Sequence, residues 1–148
     1  MDEKQQRVGV VVSTYNQSIT SRLREGALQT LHTAGFSDDR IELLEVPGAW
    51  EMPLAARHLA QRSDIHGVIC LGAVIKGETS HDEHINRAVS TALMQLMVST
   101  GKPIGFGLLT CNTMEQAIHR AGGNVGNKGI ETAAAVLHML RLAAPHTP

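Results

Sequence analysis

The chain has 148 residues, a net charge of −1, aromatic side chains at 3% and two cysteines. That balance excludes a polycationic nucleic-acid surface and a disulfide- or zinc-stapled module, and it leaves the core to be built from Val, Ile, Leu, Ala and Met. The polar opening Met-Asp-Glu-Lys-Gln-Gln-Arg lacks the apolar stretch of a signal peptide, and no apolar run reaches bilayer length, so the sequence leads us to expect a cytoplasmic protein without a membrane partner. Val8–Thr14 is a β-branched run that predicts a first strand. A helix follows from about Ser18 to Ala34, with Ile19, Leu23, Ala27 and Leu31 on one face and Gly35 as its stop. Ile41–Val46 predicts a second strand, Pro47-Gly48 a turn, and about Pro53 to Ser63 a helix entered through proline.

Val68 to Leu71 and Ala73 to Ile75 form an apolar run that reads as a third strand buried on both faces and ending at Gly77. Ser80 and Glu83 stand at capping-box spacing and open the next helix, where Ile85, Ala88, Val89, Ala92, Leu93 and Leu96 keep helical spacing as far as Gly101-Lys102-Pro103. Ile104–Thr110 predicts a fourth strand. Asn112 and Glu115 offer a second capping box for a short helix to Ala121, Gly122–Gly126 reads as a loop, and Lys128–Ala144 predicts a last helix. This alternation implies an α/β domain, residues 1–148, with a doubly wound, flavodoxin-like four-stranded parallel sheet covered by helices on both faces. Residues 1–7 form a polar lead. Ligands of such sheets bind beyond the carboxyl ends of the strands.

Residues 72–84, Gly-Ala-Val-Ile-Lys-Gly-Glu-Thr-Ser-His-Asp-Glu-His, are the most informative stretch. A buried strand, a glycine turn and a helix start together point unpaired N–H groups and a positive dipole end at one spot, which suits an anion. Thr79 and Ser80 add hydroxyl donors. His81 follows at the first helical position, where the dipole disfavours imidazolium and so favours the neutral ring that a general base needs. A cap alone would equally use Thr79, Ser80 and Glu83.

Several familiar patterns are near misses. Gly72 to Gly77 has the glycine spacing of a phosphate-binding P-loop, but Glu78 stands where lysine is required. Asn127-Lys128-Gly129 lacks the preceding strand and the hydroxyl residue of that motif, and Gly105-Phe-Gly107 lacks a dinucleotide fingerprint's third glycine. His81 and His84 lie one helical turn apart without a third ligand cluster, so no metal site is expected.

The strand-end segments taken together are more specific. Val-Pro-Gly-Ala-Trp-Glu-Met-Pro (46–53), Gly-Ala-Val-Ile-Lys-Gly-Glu-Thr-Ser-His (72–81), Pro-Ile-Gly-Phe-Gly-Leu-Leu-Thr (103–110), Gln-Ala-Ile-His-Arg-Ala-Gly (116–122) and Gly-Asn-Lys-Gly (126–129) resemble lumazine synthase in order and spacing, from about Arg7 to Ala144. The resemblance implies a riboflavin-pathway transferase. It would join 5-amino-6-(D-ribitylamino)uracil to 3,4-dihydroxy-2-butanone 4-phosphate and release 6,7-dimethyl-8-ribityllumazine, phosphate and water, with no cofactor and no metal. Tyr15 matches the aromatic ring that stacks on the pyrimidine, and Asn16 the polar residue beside it. Ala49, Trp50 and Glu51 match the segment lining the ribityl and pyrimidine site. Val74 and Ile75, with Lys76 after them, match residues whose main chain meets the pyrimidine edge.

By the same resemblance Glu78, Thr79 and Ser80 form the phosphate turn, His81 transfers protons and Arg120 clamps the phosphate. Phe106 and Lys128 belong to the substrate site. The family places Phe106, Arg120 and Lys128 in the pocket from the adjacent subunit of a homopentamer, and some members build decamers or sixty-subunit shells. The chain also departs from the pattern. Asp82 and His84 stand where aromatics are usual, Glu78 carries a charge that opposes an anion unless it points outward, and His119 replaces a common acid. Two alternatives remain open at this stage: an archaeal-type riboflavin synthase on the same fold, and a non-catalytic shell or ligand-binding homologue.

Overall fold

A computed structural model describes residues 5–76, 81–123 and 126–143. The parallel sheet is made of β1 (Val8–Ser13), β2 (Ile41–Val46), β3 (Gly67–Ile75) and β4 (Ile104–Cys111), in the order β2-β1-β3-β4. This is the flavodoxin-like order expected from the alternation of strands and helices. Because β2 and β3 flank β1 on opposite sides, the loops after β1 and β3 part around a crevice at the carboxyl edge.

The helices divide between the two faces. α1 (Gln17–Thr33) and α5 (Lys128–Ala143) cover one, with α4 (Met114–Arg120) beside them, while α2 (Met52–Ala60) and α3 (His81–Thr100) cover the other. Strand side chains alternate between these layers. Val8, Val10 and Val12 of β1 and Ile69, Leu71 and Ala73 of β3 face α1 and α5. Val11, Val68 and Cys70 face α2 and α3. An apolar run with no polar alternation therefore becomes a central strand, since each face has its own helical cover. The anticipated stripe of α1 (Ile19, Leu23, Ala27 and Leu31) is wholly buried.

The two cysteines also divide between the layers. Cys70 packs on the α2–α3 side, and complete burial pushes its thiol up to about 12. Cys111 packs on the α1–α5 side. α5 approaches α1 closely enough that a Cβ at Gly129 would lie 1.9 Å from the Leu23 carbonyl oxygen, so only glycine fits there.

Three local readings need correction. The cap of α4 is Thr113, whose Oγ1 accepts the Gln116 N–H at 3.2 Å, while Gln116 Oε1 accepts the Asn112 N–H at 2.8 Å. The reciprocal pair thus sits one residue beyond the Asn112–Glu115 spacing, because Thr113 is the residue with extended backbone before the helix. The glycine-rich segment after α4 is more than a loop. Its ends pair as an antiparallel ribbon of β5 (Ala121–Gly123) and β6 (Gly126–Asn127). On α3, Ala88 is exposed, and the buried positions are Asp82, Val89 and Leu93. The Ser80–Glu83 capping box falls outside the described residues.

The amino edge of the sheet carries a charged network. Asp64 binds Arg62 and Arg7, and Glu42 binds the same two arginines. The Arg62 guanidinium holds the Asp64 carboxyl down at about 2. Nearby, the backbone N–H of Arg7 donates to His66 Nδ1 at 3.1 Å while His66 N–H donates to the Arg7 carbonyl at 2.8 Å. Burial pushes the His66 imidazole below its ordinary range, with smaller opposing contributions from the Arg7 bond and Asp64 and a further lowering by Lys102. Among the described residues no helix is long and apolar enough to cross a membrane.

Candidate active site

The carboxyl edge of the sheet gathers one group of the expected residues. After β1 the chain is tied to the turn after β2: Thr14 N–H donates to the Val46 carbonyl at 2.8 Å, and Tyr15 N–H to the Pro47 carbonyl at 2.9 Å. Asn16 then takes a left-handed conformation (φ 62°), and its carbonyl accepts the first N–H groups of α1. Asparagine tolerates this conformation better than most residues. Its side-chain Nδ2 crosses the crevice to the Ala73 carbonyl of β3 at 3.0 Å. Asn16 thus fixes the spacing of the β1 and β3 loops.

Opposite it, Gly48 opens a short 3-10 turn over Ala49–Glu51. Glu51 folds back so that one carboxylate oxygen accepts the Gly48 N–H at 2.9 Å, leaving the other available to a ligand. The Tyr15 ring lies across Gly48: a Cβ there would stand 2.8 Å from ring carbon Cδ2. Tyr15 is 65% exposed and Trp50 64% exposed, while Ala49 is buried in the α2–α3 layer. Two aromatic faces left in solvent beside a carboxylate suit a planar, polar ligand. Val74 and Ile75 end β3 half-buried, Lys76 is exposed, and its N–H donates to the Cys111 carbonyl at 2.8 Å. His81 starts α3, exposed. Glu78, Thr79 and Ser80 lie outside the described residues.

A second group lies on the flank of β4. A cleft of about 460 Å³ is lined by Phe106, Arg120 and Lys128 together with Asn86, Thr110 and Glu131. Two cations against one carboxylate make this cleft suited to an anion. Thr110 Oγ1 donates to Asn86 Oδ1 at 3.2 Å, joining β4 to α3 at its wall. Neither Tyr15, Trp50, Glu51 nor His81 lines this cleft. The expected residues therefore fall into two sets, one at the strand ends and one beside β4.

The model of the 6,7-dimethyl-8-ribityllumazine synthase family matches residues 5–144. The chain belongs to the 6,7-dimethyl-8-ribityllumazine synthase family. It is 57% identical over 136 residues to the 6,7-dimethyl-8-ribityllumazine synthase of Rhodopirellula baltica, covering 92% of this chain and 88% of that protein. It is 45% identical over 136 residues to the namesake from Thermus thermophilus, covering 92% and 87%. With the namesake from Desulfovibrio desulfuricans it shares 42% over 142 residues, covering 96% and 91%.

Within this lumazine synthase scaffold, Asn86, Thr110 and Glu131 are cleft residues that the sequence reading did not single out. Glu131 had a legible signal, one helical turn beyond Lys128. Asn86 and Thr110 had none, because their pairing spans two elements. Asp82 is buried, and among the described residues its Oδ1 has no hydrogen-bond partner.

Proposed function

We propose that this chain condenses 5-amino-6-(D-ribitylamino)uracil with 3,4-dihydroxy-2-butanone 4-phosphate to form 6,7-dimethyl-8-ribityllumazine, phosphate and water. The observation that carries the reading is family membership across residues 5–144, at 57% identity to one synthase. The aminouracil stacks on Tyr15, with Asn16, Ala49, Trp50 and Glu51 around its ribityl chain and the main chain of Val74, Ile75 and Lys76 along its edge. Its 5-amino group attacks the ketone and forms an imine with loss of water. His81 moves protons as phosphate departs into the turn of Glu78, Thr79 and Ser80, where Arg120 clamps it. Loss of phosphate leaves an enol that becomes a ketone, and the ribityl-bearing nitrogen closes the ring on that carbonyl with loss of a second water. Phosphate is already a good leaving group, so positioning supplies much of the acceleration.

The active unit is a homopentamer in the cytoplasm, built of one such domain per chain, with Phe106, Arg120 and Lys128 reaching the pocket from the neighbouring copy. The separation of the expected residues into two sets supports this arrangement, since a ligand that needs both sets draws them from two chains.

Incubating the purified protein with both substrates and following lumazine fluorescence tests the activity. Supplying lumazine alone and looking for riboflavin tests the riboflavin synthase alternative. His81→Ala is expected to lower turnover by at most about a hundredfold, the low end of general acid–base effects, because amine addition to an activated ketone is undemanding chemistry. A folded, assembled wild type that makes no lumazine sinks the reading.

A further inference from the structure

Asn127 makes more bonds than a helix cap requires. Its Oδ1 accepts the Gly129 N–H at 2.8 Å and the Ile130 N–H at 3.1 Å, which caps α5. The same amide donates Nδ2 to the Arg22 carbonyl of α1 at 3.1 Å. Its backbone lies in β6 opposite Ala121, the residue immediately after Arg120, and the residue following Asn127 is Lys128. One residue therefore joins the end of the Arg120-bearing helix to the start of the Lys128-bearing one and bolts them to α1. The glycine content of the ribbon makes such a bolt necessary. Gly122 and Gly126 both hold positive φ, and free glycine backbone is conformationally broad. Capping alone would be served by serine or aspartate. The donor aimed at Arg22 is surplus to it, as is the room made for the amide by Gly26, where a Cβ would meet its atoms at 2.6–2.8 Å.

We propose that Asn127 is a positioning residue that sets the separation of Arg120 and Lys128 and hence the affinity of the cleft for the phosphorylated substrate and the aminouracil. This rests on the function proposed above. Asn127→Asp keeps the cap but replaces the donor by an oxygen facing the Arg22 carbonyl. Gly26→Ala displaces the amide from the α1 side without adding charge and with a residue that helices favour.

Both variants are to be compared with wild type and with Asp64→Asn, which weakens the charged network at the opposite edge of the sheet. Steady-state kinetics should show KM for each substrate raised about fivefold in Asn127→Asp and Gly26→Ala, the loss of roughly one hydrogen bond's worth of alignment, with kcat within about twofold. Asp64→Asn should leave both KM values unchanged. Amide hydrogen exchange across residues 121–130 should quicken in the two clasp variants, and this readout does not depend on turnover. Unchanged exchange in both overturns the clasp whether or not the wild type makes lumazine. Quickened exchange with wild-type KM values overturns the positioning role. A wild type without synthase activity fails the proposed function separately and removes the role in substrate affinity with it.

Discussion

Gly48 gives a way to move the Tyr15 ring without touching it. The Gly48 backbone is extended (φ −137°, ψ −178°), a conformation open to any residue, so Gly48→Ala brings no backbone strain. The added methyl would lie 2.8 Å from Tyr15 Cδ2 and 3.0 Å from Cε2, against 3.4 Å from Glu51 Oε1. Carbon atoms settle at about 3.5–4.0 Å, so the ring must retreat by roughly 0.7 Å or more. It is 65% exposed and can swing into solvent, so stability should change by no more than about 0.5 kcal/mol, as for other surface substitutions. Aromatic stacking is worth about 0.5–1.5 kcal/mol beyond area burial. Losing it weakens the aminouracil by about two- to twelvefold at tenfold per 1.4 kcal/mol. KM for each substrate, measured with the other saturating, should rise for the aminouracil and stay unchanged for the phosphorylated partner, while urea unfolding confirms the intact fold. An unchanged aminouracil KM in a fully stable variant refutes Tyr15 as the stacking ring. A loss of several kcal/mol would show instead that the ring is locked by packing.

Arg120→Ala should raise KM for the phosphorylated substrate at least about tenfold, the worth of a charge-assisted hydrogen bond, with a smaller change for the aminouracil; equal loss for both would point to general disruption of the cleft. Neither His81→Ala nor Arg120→Ala should support normal turnover alone, but jointly refolded rings should exceed the sum of the two, because some interfaces pair an intact His81 with an intact Arg120. No gain in verified mixed rings would place the whole site within one chain. His66 makes stability depend on pH. Its imidazole is held below its unfolded value by burial, so its contribution is fully present above about pH 6.5 and is lost as pH falls through that value toward the lower folded one. Urea unfolding at pH 7.5 and pH 5 should show this loss and His66→Gln should flatten it, whereas Asp64, held at about 2, contributes its change only in far stronger acid.

Much of the scaffold was legible because the core is aliphatic and strictly layered. Val68–Leu71 with Ala73–Ile75 could belong only to a strand covered on both sides, and the stripe from Ile19 to Leu31 could only face a core. The ribbon of Ala121–Gly123 and Gly126–Asn127 was not legible, since segments this short carry no periodicity and their pairing is fixed by what they pack against. The α4 cap was misplaced by one residue because Asn112 and Thr113 are both good caps, and backbone conformation decides between them. At the strand ends, Tyr15, Trp50 and Glu51 owe their proximity to the sheet order. The cleft beside β4 depends on side chains from four elements, α3, β4, α4 and α5. Asn127 has a local signal as a cap, an asparagine directly before a helix-forming run, whereas its bond to Arg22 joins distant parts of the sequence and has none.

The distribution of sulfur has a practical use. Each face of the sheet conceals one thiol, Cys70 under α2 and α3 and Cys111 under α1 and α5, and neither is exposed in the folded chain. Alkylation at either position requires its own helical layer to lift. Pulse-labelling followed by peptide mass spectrometry therefore gives two independent clocks, one for each side of the molecule, without any engineered probe. The ratio of the two rates reports whether the protein opens as a single cooperative unit or sheds one layer first.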